Sequence, residues 1–330
     1  KGAQHGILIK NAQSLEKLYQ VDTVVVDKTG TITTGKPVVT DIVSLEDHDE
    51  KTVLTLAASL EKHSNHPIAA AINEQAKQEG IALLRIEDFT EQEGSGVTGK
   101  HQGKKVEITK PQTGLDIKRL SELQNEGKTV VVVSENKKPV GLIAISDSVK
   151  EGAKQAIERL HKMKIKTVML TGDNKKAAEH IASRVGIDEV RAEVLPQDKS
   201  SIVKELQKQG SVVAMVGDGI NDAPALTQAN VGIAMATGTD IAIESADITL
   251  LGGELLKVPQ AIRLSRSTMR TIKQNLFWAF IYNVIGIPVA GGVLYPFFGI
   301  FLSPIFAGLA MAMSSVSVVS NSLLLKRAKI

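Results

Sequence analysis

Hydrophobic and polar positions follow two alternating periods along most of this chain, and then polarity almost disappears. The first clear signal is Val21-Asp22-Thr23-Val24-Val25-Val26, whose β-branched run reads as a buried strand. Comparable apolar runs bounded by turn residues recur at 140–145, 166–170 and 212–216. Helical periodicity at 150–163 and 198–208 separates them. Strand-turn-helix repeated in this way predicts an α/β fold with a doubly wound parallel sheet. Residues 38–137 carry a pattern of their own: helices at 52–62 and 67–79, strands at 105–108 and 129–134, and a glycine loop from Gly94 to Lys100. They read as an α+β domain inserted after the first strand, with the sheet resuming at 140–145 and ending on Ser146-Asp147. Residues 1–20 are amphipathic and read as a helix; Thr34-Gly35-Lys36-Pro37 reads as a linker. The expected division is therefore 1–20, then 21–37 with 138–258, then the insert 38–137, then 259–330, with no internal repeat.

From Asn275 to Leu325 there is no charged residue, a stretch of 51 positions. One membrane crossing needs about 20 apolar residues, so this length predicts a hairpin of two transmembrane helices turning near Gly291, Gly292 and Pro296. Arg263, Arg266, Arg270 and Lys273 precede it, and Lys326, Arg327 and Lys329 follow it. That bias places both ends on the cytoplasmic side. The expectation is a multi-pass membrane protein in contact with lipid, in a bacterial plasma membrane, with its remaining domains in the cytoplasm. No signal peptide is evident, and the opening without Met reads as a piece of something longer.

Composition narrows the chemistry further. The net charge of +3 is small and its basic residues are spread out, which argues against nucleic acid as a partner. With no cysteine, disulfides and thiolate metal sites are excluded.

Asp27 ends the first strand, and in open α/β sheets ligands bind beyond the carboxyl ends of strands. A carboxylate there is a competent nucleophile toward phosphorus. Asp27, Thr171, Lys199, Asp218 and Asp222 together supply what phosphoryl transfer needs. Asp27 and Asp218 are hard oxygen donors for Mg²⁺, while Thr171 and the Lys199 ammonium are donors for phosphate oxygens. Asn221 and Asp222 read as residues that orient this centre. Taken singly, Asp27 could close an ordinary turn, Lys199 could be a solvated helix charge and Asp222 a cap. Their combination carries the argument.

Three segments, Asp27-Lys-Thr-Gly-Thr, Thr171-Gly-Asp-Asn and Gly217-Asp-Gly-Ile-Asn-Asp-Ala-Pro, resemble in order and spacing the signature blocks of P-type ATPases, ion pumps with a haloacid-dehalogenase-like core. The resemblance implies that Asp27 is phosphorylated from ATP. It further implies that Thr29 contributes to Mg²⁺ and phosphate binding, that Thr171, Asp173 and Lys199 line the phosphate site, that Asp218 binds Mg²⁺, and that Asp147 is a hinge-side acid. Related soluble phosphatases carry a second Asp two residues after the nucleophile, where this chain has Thr29. Loss of that proton shuttle favours a long-lived phosphoenzyme. Ser64-Asn65-His66-Pro67 and Gly94-Ser95-Gly96 are similar to the nucleotide motifs of the heavy-metal subgroup, which implies that Glu61 and His66 face adenine and that Gly94 and Gly96 let nucleotide lie against backbone. A Gly-Asn pair found in many copper members is replaced here by Ile108-Thr109-Lys110-Pro111.

In the uncharged stretch, Tyr282-Asn283 and Met311 with Ser315 resemble the signature of the Cu(I)-transporting branch, with Ag(I) as surrogate; a thioether suits a soft ion. The same residue types also serve as packing filler and helix contacts. The resemblance covers only the carboxyl half of a pump. It implies that residues 1–20 descend from a membrane helix bearing Cys-Pro-Cys, and that the partners include the actuator-bearing amino-terminal half and a copper chaperone. Hinge motion is expected near Lys36-Pro37 and Lys137-Pro139. Two other readings stay open: a membrane-anchored phosphatase, and a nucleotide-sensing membrane subunit without turnover.

Overall fold

Three valines in succession force the first strand into the centre of a sheet, because Val24 and Val26 must be covered on one face and Val25 on the other. The computed structural model shows this arrangement; it describes all residues except 46–47, 65, 93–95, 112–117, 174, 219, 237–239, 300–303 and 326–330. In chain order the elements are β1 (Ile7–Ile9), α1 (Ala12–Gln20), β2 (Thr23–Asp27), β3 (Thr33–Ser44), α2 (Glu50–Glu61), α3 (Pro67–Gln78), β4 (Glu87–Gln92), β5 (Gly96–His101) and β6 (Lys104–Thr109). They continue with α4 (Lys118–Asn125), β7 (Thr129–Glu135), β8 (Lys138–Val149), α5 (Ala153–Lys162), β9 (Lys166–Leu170), α6 (Lys175–Val185), β10 (Glu189–Arg191), α7 (Lys199–Lys208) and β11 (Val213–Gly217). The last are α8 (Ala223–Gln228), β12 (Val231–Met235), α9 (Asp240–Ser245), β13 (Ile248–Leu250), α10 (Lys257–Ala290), α11 (Tyr295–Phe298) and α12 (Pro304–Leu324).

One sheet has seven strands in the order β1-β13-β12-β11-β2-β9-β10, parallel except for β1. β2 lies between β11 and β9, with Val26 opposite Val216 and Asp27 opposite Leu170. Val24 and Val26 join the layer formed with α1, α5, α6 and α10, whereas Val25 joins the opposite layer with Val203 and Leu206 of α7 and Leu226 of α8. Helices thus cover both faces, the doubly wound α/β arrangement expected.

The second sheet is antiparallel, with six strands in the order β3-β8-β7-β6-β5-β4. α2 and α3 pack on one face and α4 on the other. Its membership corrects two sequence expectations. The run 140–145 does not resume the first sheet but lies within β8, paired with β3 and β7. Periodicity identifies a strand without naming its neighbours, and here β7 and β8 close as a hairpin through Asn136 and Lys137, both at positive φ. Likewise, Lys36-Pro37 is inside β3 rather than in a linker, and Lys137-Pro139 sits at the hairpin end. The chain enters and leaves this sheet where Thr33 faces Val149.

Residues 1–20 are also not one helix. Gly6 at φ +70° ends a short 3-10 turn, and Ile7, fully buried, then starts β1 on the edge of the first sheet against β13. The expected glycine loop is partly strand, since β5 begins at Gly96.

α10 runs 34 residues from the first sheet outward and meets α12, with Asn275 Oδ1 accepting from Asn321 and its amide donating to Ser322 Oγ at 2.8 Å each. The turn between them contains Gly291 and Gly292, near the expected place. Among the described residues, no helix is long and apolar enough to cross a membrane, so the predicted spans are not shown. The pair nevertheless exposes Phe277, Trp278, Phe280, Val284 and Ile287.

Candidate active site

Asp27 emerges from the carboxyl end of β2 into a turn that the sequence Lys28-Thr29-Gly30-Thr31-Ile32 winds tightly. Gly30 takes φ +73°, and a Cβ on it would come within 1.7 Å of Asp218 Oδ2. No other residue would let the turn lie so close to the neighbouring acid. Gly217, the last residue of β11, plays the matching part: its missing Cβ leaves room for Asp222, whose Oδ2 would otherwise be 2.6 Å away.

These two glycines allow three carboxylates to gather. Oxygens of Asp27, Asp218 and Asp222 all lie within 4.8 Å of one another. From α7, the Lys199 ammonium donates to Asp27 Oδ1 and to Asp222 Oδ1, both at 2.7 Å. The other oxygen of Asp222 accepts from Asp218 N at 3.2 Å. Asp27 is only 6% exposed. Burial and the nearby Asp222 charge push its pKa up to about 6, while Lys199 pulls the other way. Burial and Asp222 also raise Asp218. Burial works against the charge on Lys199, yet Asp27 and Asp222 raise its pKa on balance.

Thr171 and Asp173 follow β9, the other neighbour of β2. Thr171 is buried and its Oγ1 accepts from Asp173 N at 3.1 Å; Asp173 forms an ion pair with Lys28 at 2.5 Å. Asp173 is thus tied to the residue that follows Asp27, while Asp27 and Asp218 share the acidic cluster. Thr29 is exposed. Asn221 is also exposed and, among the described residues, makes no hydrogen bond to the cluster, unlike its neighbour Asp222.

Lys150 was invisible to pattern reasoning. Its half-buried ammonium donates to Gly30 O and, at 3.1 Å, to Gly253 O, while its backbone N–H reaches Ile32 O at 2.9 Å. Burial lowers its pKa against the opposing pull of Asp218 and Asp147. Its position three residues after Asp147 is the only sequence signal. Asp147 itself accepts from Thr33 Oγ1 at 2.5 Å, Thr34 Oγ1 at 3.1 Å and Gly35 N at 3.2 Å, fastening the two chain crossings between the sheets.

Among the nucleotide candidates, Glu61 ends α2 almost fully buried, and its Oε2 has no hydrogen-bond partner among the described residues. Burial pushes its pKa up to about 7, opposed by Ser64 and reinforced by Glu91. His66 caps α3: its Nδ1 accepts from Ile68 N at 3.2 Å, with Pro67 in the first helical position. Gly96, at φ +136°, has a reason of its own to lack a side chain, since a Cβ would sit 2.0 Å from Ile108 O across the ladder. Gly94 lies outside the described residues. Of the copper candidates, Tyr282 stacks at a tilt near Trp278 and Asn283 Nδ2 donates to Ala279 O of its own helix. Ser315 is exposed on α12, and the Met311 side chain lies outside the described residues.

A buried carboxylate ending the central strand of a doubly wound sheet, held by a lysine and joined by two further acids, agrees with a family model for haloacid dehalogenase-like hydrolases that matches residues 21–230. The chain belongs to that family. Over its whole length it is 49% identical to the silver-exporting P-type ATPase of Salmonella typhimurium, spanning 41% of that protein. Over 99% of its length it is 50% identical to the copper-exporting P-type ATPase of Legionella pneumophila, spanning 45% of it. The chain thus covers less than half the length of these relatives. A zinc-transporting PIB-type ATPase in its E2.Pi state superposes with a TM-score of 0.88 at 38% identity, over 98% of this chain and 53% of that one. The catalytic domain of the CPx-ATPase CopB-B matches at TM-score 0.64 and 33% identity, over 79% of this chain and 96% of that domain. The likeness to P-type ATPases drawn from the three motifs therefore extends along the whole chain.

Proposed function

We propose that this chain is the catalytic part of an ATP-driven exporter of Cu(I), with Ag(I) as a surrogate, working through an aspartyl-phosphate. The observation that carries the reading is the buried Asp27 with its lysine clamp and two companion acids. The donor set suits Mg²⁺: three carboxylates with oxygens within 4.8 Å and a glycine where any side chain would intrude. When bound, Mg²⁺ supplies positive charge that offsets the phosphate oxygens and draws the Asp27 pKa down.

The chain's residues then divide the work. An oxygen of ionised Asp27 attacks the γ-phosphorus; the bond to the β–γ bridging oxygen breaks and ADP leaves. Lys199 holds Asp27 in place and is a donor toward the incoming phosphate, joined by Thr171. Asp222 orients Lys199 and the Asp218 backbone. Thr29 and Asp173 stand at the entrance. Glu61, His66, Gly94 and Gly96 serve the adenine side of ATP on the second sheet. Domain divisions follow the two sheets, with the nucleotide unit running from the Thr33 crossing to the Val149 crossing.

In this reading α10 and α12 are embedded in a membrane, the rest is cytoplasmic, and the partners are an amino-terminal half and a copper chaperone. In this reading Tyr282 and Ser315, each seven residues along its helix from the Asn275–Ser322 hydrogen bond, lie at one level and face the ion. A thioether from Met311 on the same helix as Ser315 would suit Cu(I).

The test is ATPase activity of the full-length protein with Cu(I) and with Zn(II), alongside Asp27→Asn and Met311→Ala. Stimulation by Cu(I), loss of phosphoenzyme by about 10⁴-fold or more in Asp27→Asn, and loss of Cu(I) response in Met311→Ala are expected. Stimulation by Zn(II) alone would overturn the ion assignment, and undiminished labelling of Asp27→Asn would overturn the chemistry.

A further inference from the structure

Where α1 crosses α10, Tyr19, Arg266, Arg270, Lys273, Gln274 and Phe277 line a cavity of about 710 Å³. Arg266 and Arg270 also border a neighbouring groove of about 980 Å³ that adds Arg159, Lys162, Lys164 and Arg263. Neither lining contains an acid. Among the described residues, none of these seven cations has an ion-pair partner. Two are already fixed in place. The Arg266 guanidinium donates to Met163 O and Val21 O at 3.2 and 3.3 Å, and the Lys273 ammonium lies 4.6 Å from the centre of the Tyr19 ring and 3.2 Å from its hydroxyl. Concentrated, uncompensated positive charge in a concave surface calls for an anion.

The next turn of α10 says which anion. Charge stops at Lys273, and Leu276, Phe277, Trp278 and Phe280 follow at 45–64% exposure. The interval is about one helical turn, or 5–6 Å. Cations immediately above an exposed aromatic girdle are the arrangement of the headgroup layer of a bilayer. Phe277 belongs both to the cavity and to the apolar face, so a molecule with a phosphate at one end and a hydrocarbon chain at the other would touch both. A nucleic acid would gain nothing from that apolar continuation.

We propose that this cavity binds the phosphate-bearing headgroup of an anionic glycerophospholipid, with Arg270 and Lys273 as principal cations and Tyr19 and Gln274 as additional hydrogen-bond donors. The proposal rests on the reading that α10 and α12 are embedded. It makes the α1–α10 crossing, which joins the catalytic sheet to the hairpin, sensitive to the charge of the surrounding lipid.

The test uses the full-length protein in nanodiscs of phosphatidylcholine alone or with one-fifth phosphatidylglycerol, comparing wild type with Arg270→Gln/Lys273→Gln. Wild type should retain phosphatidylglycerol through purification and hydrolyse ATP faster in its presence. The double variant should bind it about thirtyfold more weakly, at roughly 1 kcal/mol for each of the two basic residues near an anionic surface, while still forming phosphoenzyme. Unchanged phosphatidylglycerol preference in a double variant that remains in the membrane would overturn the headgroup site alone. Equal competition by free inorganic phosphate or by RNA would overturn the lipid assignment. Release of the wild-type protein from membranes by alkaline carbonate would overturn the embedded reading itself.

Discussion

Asp27 and Glu61 are both buried carboxylates with raised pKa values, one ending a strand of the first sheet and the other ending a helix packed on the second, yet their surroundings are opposite. Asp27 sits among charges: Lys199 contacts it, while Asp222 and Asp218 crowd it. Glu61 has one oxygen unpartnered among the described residues, with Ser64 opposing its burial and the nearby Glu91 adding to it. A compensated acid remains an anion available for chemistry, whereas an uncompensated one stores a cost that a ligand can relieve. In the proposed function the first arrangement serves a reaction centre and the second a binding surface.

The sharpest way to break the contrast is to remove the compensation. Lys199→Met should leave Asp27 and Asp222 facing each other without a cation, destabilising the fold by about 3–5 kcal/mol as measured by denaturant unfolding. The pH above which phosphoenzyme forms should also move upward from about 6, because Lys199 no longer favours the ionised Asp27. An unchanged midpoint and pH profile would show that the lysine clamp is decorative.

Glu61→Gln tests the other side. The native pKa is raised from 4.5 to about 7, so between those values the unfolded chain ionises while the folded one keeps its proton. The unfolded state then binds fewer protons, and stability falls as pH rises through this window. The substitution should therefore be nearly neutral at pH 4 and stabilising by about 2–3 kcal/mol at pH 8. A difference between variant and wild type that does not change with pH would mean that Glu61 ionises normally.

The smallest effect sharpens the identity of the first site. Thr29→Asp places a second carboxylate where related phosphatases have one, at an exposed position of the turn. Phosphoenzyme lifetime in a chase experiment should shorten by about tenfold or more as a proton shuttle is restored. An unaltered lifetime would remove Thr29 from the account of why the intermediate persists.

The site was more legible than the connections around it. Val24-Val25-Val26 followed by Asp27, and the Asp-bearing turns after 170 and 216, announced where acids would gather because strand order in a parallel sheet brings those ends to one edge. β1 and β13 gave no such signal: Ile7–Ile9 and Ile248–Leu250 are three residues each, too short to show a period. Lys150 could not be read at all, since its significance is the proximity of Gly30 O and Gly253 O, both more than 100 residues away.

Sequence alone determined which residues could do chemistry and that two kinds of surface, one charged and one hydrophobic, had to coexist in the chain. These follow from side-chain type and local period, which travel with the residue. Only tertiary structure decided that the strand at 140–145 leaves the first sheet for the second, and that Gly30 and Gly217 let three acids gather, two of them on a single lysine. Both depend on backbone pairing and close approach between segments distant in sequence, and neither is written in any local pattern.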